Sequence, residues 1–282
     1  MAAMCVDAYF VCATPRTGSS LLLGLLASSG CAGRPQAYFR APDEALWAER
    51  WQLPRTGYPY ADFVTAALAA GRTANGVFGA KLMWGTIGEL TARLADAYPD
   101  AEGAATTAGD LAVLRRAFGR VGFVHLSRRD VLAQAVSWVR AEQTQQWYAG
   151  GDGEISGQIS NQPTGARPTF DANAIEHHLH LIQEHQQGWE DWFSANGVSP
   201  HRVTYEELTA DLTGTTTRVL QALGLEAPAQ PPVARHQRQG DHVNQEWITR
   251  YRAHAHAEAQ TRASAEDGAQ DAPDFRGEHE KP

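Results

Sequence analysis

Arg16-Thr17-Gly18-Ser19-Ser20 sets one guanidinium, one glycine and three hydroxyls in consecutive positions. Small residues there let backbone N–H groups close around an anion. A helix starting at that point adds roughly half a positive charge from its aligned peptide dipoles. This is phosphate-cradle chemistry, but the segment is not a Walker A loop, which needs Gly, four residues, Gly, Lys and Ser or Thr. Here the cation precedes the glycine and no lysine follows it, which argues against ATP or GTP hydrolysis and against a Mg²⁺-dependent P-loop kinase. A second cationic group, Arg128-Arg129, follows His125-Leu126-Ser127, and Ser137 lies further along the same stretch. A guanidinium fork and a hydroxyl can jointly hold a phosphate. A third group, Arg235-His236-Gln237-Arg238, follows the Pro231-Pro232 break. Three cationic patches in a chain of net charge -8 suggest a multiply charged anionic ligand.

Elements must place these residues. Asp7 to Ala13 is an apolar, aromatic run with the pattern of a buried strand. Thr14 to Ser20 breaks it, and the leucines from Leu21 to Leu26 then give a helix whose cap is expected among Thr17, Ser19 and Ser20. Val77 to Leu82 and Gly122 to Leu126 read as further strands, the latter ending at the Arg128-Arg129 pair. Ligands of α/β sheets bind at that C-terminal edge. Asp130 to Gln143 reads as a helix, and a long helix capped by Asp171 or Asn173 runs to about Asn196, where Gly197 stops it. Arg202 to Tyr205 is a fourth strand candidate, followed by one or two short helices over Glu206 to Leu223. Strands alternating with helices imply a mostly parallel sheet flanked by helices. Residues 1–256 are expected to form one domain, with a Gly-, Ser- and Asn-rich mobile loop at about 150–170.

Of the 282 residues 43% are hydrophobic and 20% charged, enough apolar content for a sizeable core. The negative net charge argues against a chain built to coat nucleic acid or an anionic membrane. No apolar run is long enough to span a bilayer. The absence of a basic leader before the first apolar stretch and three clustered cysteines (Cys5, Cys12, Cys31) fit a reducing, cytoplasmic setting. Residues 257–282 are acidic, with Phe275 their one large apolar side chain, and are expected to be disordered.

Taken in order, Tyr9 to Leu22, Gly33 to Phe39, Asn75 to Trp84, His125 to Trp138, Gly188 to Phe193, Arg235 to Trp247 and Arg250 to Arg252 resemble the bacterial trehalose 2-sulfotransferase family. The resemblance implies a P-loop-like three-layer α/β fold. It also implies metal-free transfer of a sulfuryl group from 3′-phosphoadenosine-5′-phosphosulfate (PAPS) to a hydroxyl of a small glycoside, sugar or secondary metabolite. On that resemblance Arg16 to Ser20 hold the donor's 5′-phosphosulfate, and Arg128 with Ser137 hold its 3′-phosphate. Sulfotransferases more widely set this arginine eight residues before the serine, a spacing that Arg129 meets and Arg128 does not, so which arginine binds is open. Arg235 and Arg238 are candidates to close over the nucleotide. Lys81 is expected to face the transferring group, with Ala37, Trp84 and His177 on the acceptor side. A homodimer is likewise implied.

The family's glutamate base follows Pro-Gln; here that position is Ala37, whose methyl group cannot accept a proton. Asp43, Glu44, His125 and Glu142 are the replacement candidates, Glu142 first. An inactive nucleotide-binding homologue with a scaffolding role is the alternative reading. His177, His178, His180 and His185 crowd one helix without the Cys or carboxylate spacing of a zinc site, so no metal is expected.

Overall fold

Ala8–Ala13 (β1) is wholly buried, the condition of a central parallel strand covered on both faces. Gly18 at φ 82° turns the chain into α1 (Ser19–Ser28). A 3-10 turn, Ala41–Asp43, leads to α2 (Glu44–Arg50) and then α3 (Tyr60–Gly71). β2 (Phe78–Met83), α4 (Thr86–Ala97), α5 (Asp110–Phe118) and β3 (Val121–Ser127) follow. Next come α6 (Val131–Thr144), β4 (Ala149–Gly150), α7 (Ala172–Ala195) and β5 (His201–Thr204). α8 (Tyr205–Ala210), α9 (Leu212–Ala222), β6 (His236–Gln237) and α10 (His242–Gln270) complete the order. This computed structural model describes residues 5–99, 109–147, 149–150, 167–226, 228, 230–233, 236–237 and 242–270.

Four strands form a parallel sheet in the order β2-β1-β3-β5, and β4 pairs antiparallel with β6. On one face β1 contributes Ala8, Phe10 and Cys12 to a core shared with α3, α4, α5 and the end of α7. On the other, Tyr9, Val11 and Ala13 pack with α1, α8 and α9. A third apolar cluster joins α6, α7 and α10. Three helices carry aspartate caps: Asp130 accepts from Ala133 N at 2.9 Å, Asp171 from Ala174 N at 2.9 Å and Asp211 from Gly214 N at 2.8 Å. α8 opens with a Thr204–Glu207 capping box.

Two expectations need correction. The cap of α1 is Gly18, not Thr17, Ser19 or Ser20, and no side chain caps that helix. The Thr17 hydroxyl instead donates to Thr14 O at 2.9 Å, folding the turn onto itself. α10 carries helical backbone to Gln270, into the stretch assigned to disorder. Alanine recurs through 253–269 and has the highest intrinsic helix propensity, so charge and low apolar content do not prevent a helix there. Residues 271–282 lie outside the described residues, as do 151–166 of the expected mobile loop, whose first residue, Gly150, pairs in β4.

A candidate anion-binding active site

β1 and β3 are neighbours, with Ala13 opposite Leu126. The chain leaving β1 comes back into the sheet as β2, while the chain leaving β3 comes back on the opposite side as β5. The crevice outside their carboxyl ends is therefore a topological switch point, where open α/β sheets bind ligands. The Thr14–Gly18 turn and the Arg128–Asp130 turn lie at this point.

Arg16 adopts φ 66°, a left-handed conformation that costs a non-glycine residue about 1 kcal/mol or more. Neighbours hold it there. Its Nε donates to Ser137 Oγ at 2.9 Å, another of its nitrogens donates to the Trp147 carbonyl, and its own carbonyl accepts from Arg128 at 3.3 Å. Gln134, fully buried on α6, donates to Thr14 Oγ1 at 2.8 Å and Pro15 O at 2.7 Å. Desolvation pushes the Arg16 guanidinium down to about 10, helped by the nearby cations Arg128 and Arg140. The turn thus carries concentrated positive charge beside a helix start without a side-chain cap.

Arg128 and Arg129 diverge. The Arg128 guanidinium stacks over Tyr205 at 4.6 Å from the ring centroid and reaches the Arg16 carbonyl. Arg129 pairs with Glu207 on the exposed side of α8, while Glu206 accepts from the backbone N–H groups of Arg129 at 3.1 Å and Asp130 at 3.3 Å. Tyr205 also explains Gly18: a Cβ there would lie 2.6 Å from the ring, besides the strain of its positive φ. An open cavity of about 550 Å³ borders Arg128 and Arg129, between His125, Arg202 and α7. Arg202 donates to Nδ1 of His125 at 3.1 Å, so that nitrogen carries the lone pair. Burial holds His125 down to about 4, the Glu190 carboxylate opposing and Arg202 reinforcing the shift. The His125–Glu190 contact at 3.4 Å is accordingly not an ion pair at neutral pH.

The remaining candidates scatter. Lys81, buried on β2 opposite Val11, projects by strand alternation to the α1 face. Ala37 is buried one residue beyond the Gln36–Ala80 bridge beside β2. Trp84 lies against Gly188 and meets Trp189 edge-on at 5.3 Å. Glu142 accepts from Trp138 Nε1 at 2.8 Å and faces His178 Nε2 at 3.1 Å, so both its oxygens are engaged between α6 and α7. His177 is exposed, its ring 5.5 Å from that of His178. Arg235 and Arg238 flank β6 and lie outside the described residues. Among the described residues no group of three His, Cys, Asp or Glu could hold a metal ion. Sequence reading missed Gln134, Arg140 and Tyr205. The signal for the first two was polar residues three apart (Gln134, Ser137, Arg140) on a helix otherwise apolar as far as Ala141; Tyr205 carried none.

A parallel sheet whose switch point gathers guanidiniums at a glycine-turned helix start defines an anion-binding α/β protein. Residues 8–254 match the family model described as Stf0 sulphotransferase, and the chain belongs to that family: it is a sulfotransferase. It is 35% identical over 272 residues to the trehalose 2-sulfotransferase of Mycobacterium tuberculosis, covering 89% of this chain and 96% of that protein. It is 34% identical over 270 residues to that of Mycolicibacterium smegmatis, covering 88% and 95%. A sulfotransferase structure from Alicyclobacillus acidocaldarius superposes with TM-score 0.43 at 14% identity over 87% of this chain and 90% of that one, too loosely to bear on it.

Proposed function

We propose that this sulfotransferase takes its sulfuryl group from PAPS and passes it to a hydroxyl of a small glycoside, sugar or secondary metabolite. Trehalose, the substrate in the names of both mycobacterial relatives, is the first acceptor to try. The carrying observation is the turn into α1, where Arg16 and Arg128 meet at a helix N-terminus that no side chain caps, and Arg140 adds its charge to that of Arg16. These cations act unfavourably on one another, and a nucleotide bearing phosphate at both 3′ and 5′ positions offsets that repulsion.

Arg16 and the N–H groups of Gly18, Ser19 and Ser20, with Thr17 closing the turn, take the 5′-phosphosulfate. Arg128 takes the 3′-phosphate with Ser137, whose hydroxyl accepts from Arg16 and still has its hydrogen to donate. Arg129 is left to its α8 partner. Arg235 and Arg238 close over the nucleotide, Lys81 faces the transferring group, and Ala37, Trp84 and His177 lie toward the acceptor. Negative charge grows on the departing phosphate oxygen, where preorganised donors act; losing one typically costs on the order of a hundredfold in rate. The setting is the cytoplasm, where PAPS would be available, and the assembly is a homodimer, to be checked by sedimentation.

Calorimetry with adenosine 3′,5′-bisphosphate and mass spectrometry of a metabolite extract incubated with PAPS test this reading. Binding with a sulfated product supports it. Absence of binding, or binding without any sulfated product, overturns it.

A further inference from the structure

Transfer to a neutral hydroxyl needs a group that takes its proton. The carboxylates of the folded body are mostly engaged. Both oxygens of Glu190 accept from Arg202, at 2.5 and 2.7 Å, and both of Asp7 accept from Arg120, at 2.8 and 2.9 Å. Glu44 is held by Arg93 and Tyr58, and Glu142 by Trp138 and His178. Asp43 differs. Its side chain is fully buried at the end of the 3-10 turn, six residues past Ala37. Oδ1 accepts from Arg40 at 2.9 Å, but Oδ2 is buried with no hydrogen-bond partner. Such a buried acceptor costs about 1–3 kcal/mol, so its retention calls for a reason.

Two charged groups act on it: Arg40 from its own turn and Lys81 from β2. Burial outweighs both and raises the Asp43 carboxyl above the usual range, which makes its ionised form a stronger base. Lys81 projects to the same face as α1, toward which the donor turn leads.

Resting on the sulfotransfer reading, we propose that Asp43 is the general base, its Oδ2 receiving the proton of the acceptor hydroxyl beside Lys81. The acceptor oxygen forms a bond to sulfur as the bond from sulfur to the phosphate oxygen breaks. The hydroxyl proton passes to Oδ2, and adenosine 3′,5′-bisphosphate leaves with the electron pair. Trp47 Nε1, one turn along α2, is also buried without a partner and offers a purely structural use for Oδ2.

The test compares Asp43→Asn, Asp43→Glu and Trp47→Phe with the wild type, using trehalose or, if it is not sulfated, the acceptor returned by the extract screen. Asp43→Asn should lower kcat about 10²–10⁴-fold and abolish the acid limb of the pH–rate profile. Its affinity for adenosine 3′,5′-bisphosphate should stay within about threefold of the wild type's, a change of well under 1.4 kcal/mol. Asp43→Glu should regain part of the rate with a displaced limb, and Trp47→Phe should keep the wild-type profile. The proposal is overturned if Asp43→Asn keeps the limb and most of its rate, or if Trp47→Phe loses as much. It is equally overturned if the asparagine variant fails to bind the nucleotide while Asp43→Glu recovers binding but no rate. A wild type that sulfates nothing sinks the parent reading as well, and is told apart because no variant is then needed.

Discussion

Gly18 stands where two constraints meet, a backbone at φ 82° and the Tyr205 ring over its missing side chain. Gly18→Ala should therefore destabilise the protein by about 1–3 kcal/mol. It should also cut affinity for adenosine 3′,5′-bisphosphate, because the displaced ring carries Arg128. Thermal melts and calorimetry read the two effects separately. The arginine pair offers a sharper contrast. Arg128→Ala should weaken nucleotide binding roughly tenfold to a hundredfold, the scale of a charge-assisted hydrogen bond of about 1.5–3 kcal/mol. Arg129→Ala, which removes an exposed pairing with Glu207, should change it less than about threefold. Equal losses would contradict the assignment. The choice between these adjacent residues was not legible in the sequence. It is made by Tyr205 and Glu207, which reach the turn only when β5 pairs with β3.

Helices and strands were legible in proportion to how one-sided their burial is. β1 is buried along its whole length and β3 over most of it, so their apolar runs identify them within a residue or two. α7 is marked by Asp171 at its start and Gly197 after its end. By contrast α2, α3, α4 and α5 were not legible in the sequence, although their side chains share one apolar core with Tyr38 and Phe39 of the Gly33 to Phe39 segment. Gly188 on α7 belongs to this level. A Cβ there would lie 2.3 Å from the Trp84 indole, so Gly188→Ala should force that ring aside and destabilise the protein by about 1–3 kcal/mol, read in urea titrations. His125 supplies a pH dependence. The unfolded chain takes up this proton near pH 6.5, whereas the folded protein does so only at about 4. The unfolded state thus binds more protons between those values, and stability must fall as pH drops through that window. His125→Gln should flatten this fall, with a slope change approaching one proton in melts from pH 7 to 4. An unchanged slope would mean that His125 titrates normally.

Across the whole molecule, the third apolar cluster is completed by Trp247, Ile248 and Tyr251 of α10, whereas residues 252–261 are exposed. Ending the chain after Gln260 should leave the melting temperature within about 2 °C, while ending it before Trp247 should lower it markedly. α7 has the wider reach. Ile175 and Ile182 sit among α6 and α10, and Trp189, Trp192 and Phe193 sit beneath the sheet, all on one helix of 24 residues. A rigid rod rooted in two neighbourhoods cannot let one loosen while the other stays shut. Deuterium should accordingly enter the two ends of that rod at a common pace, and heating should give a single heat-absorption peak.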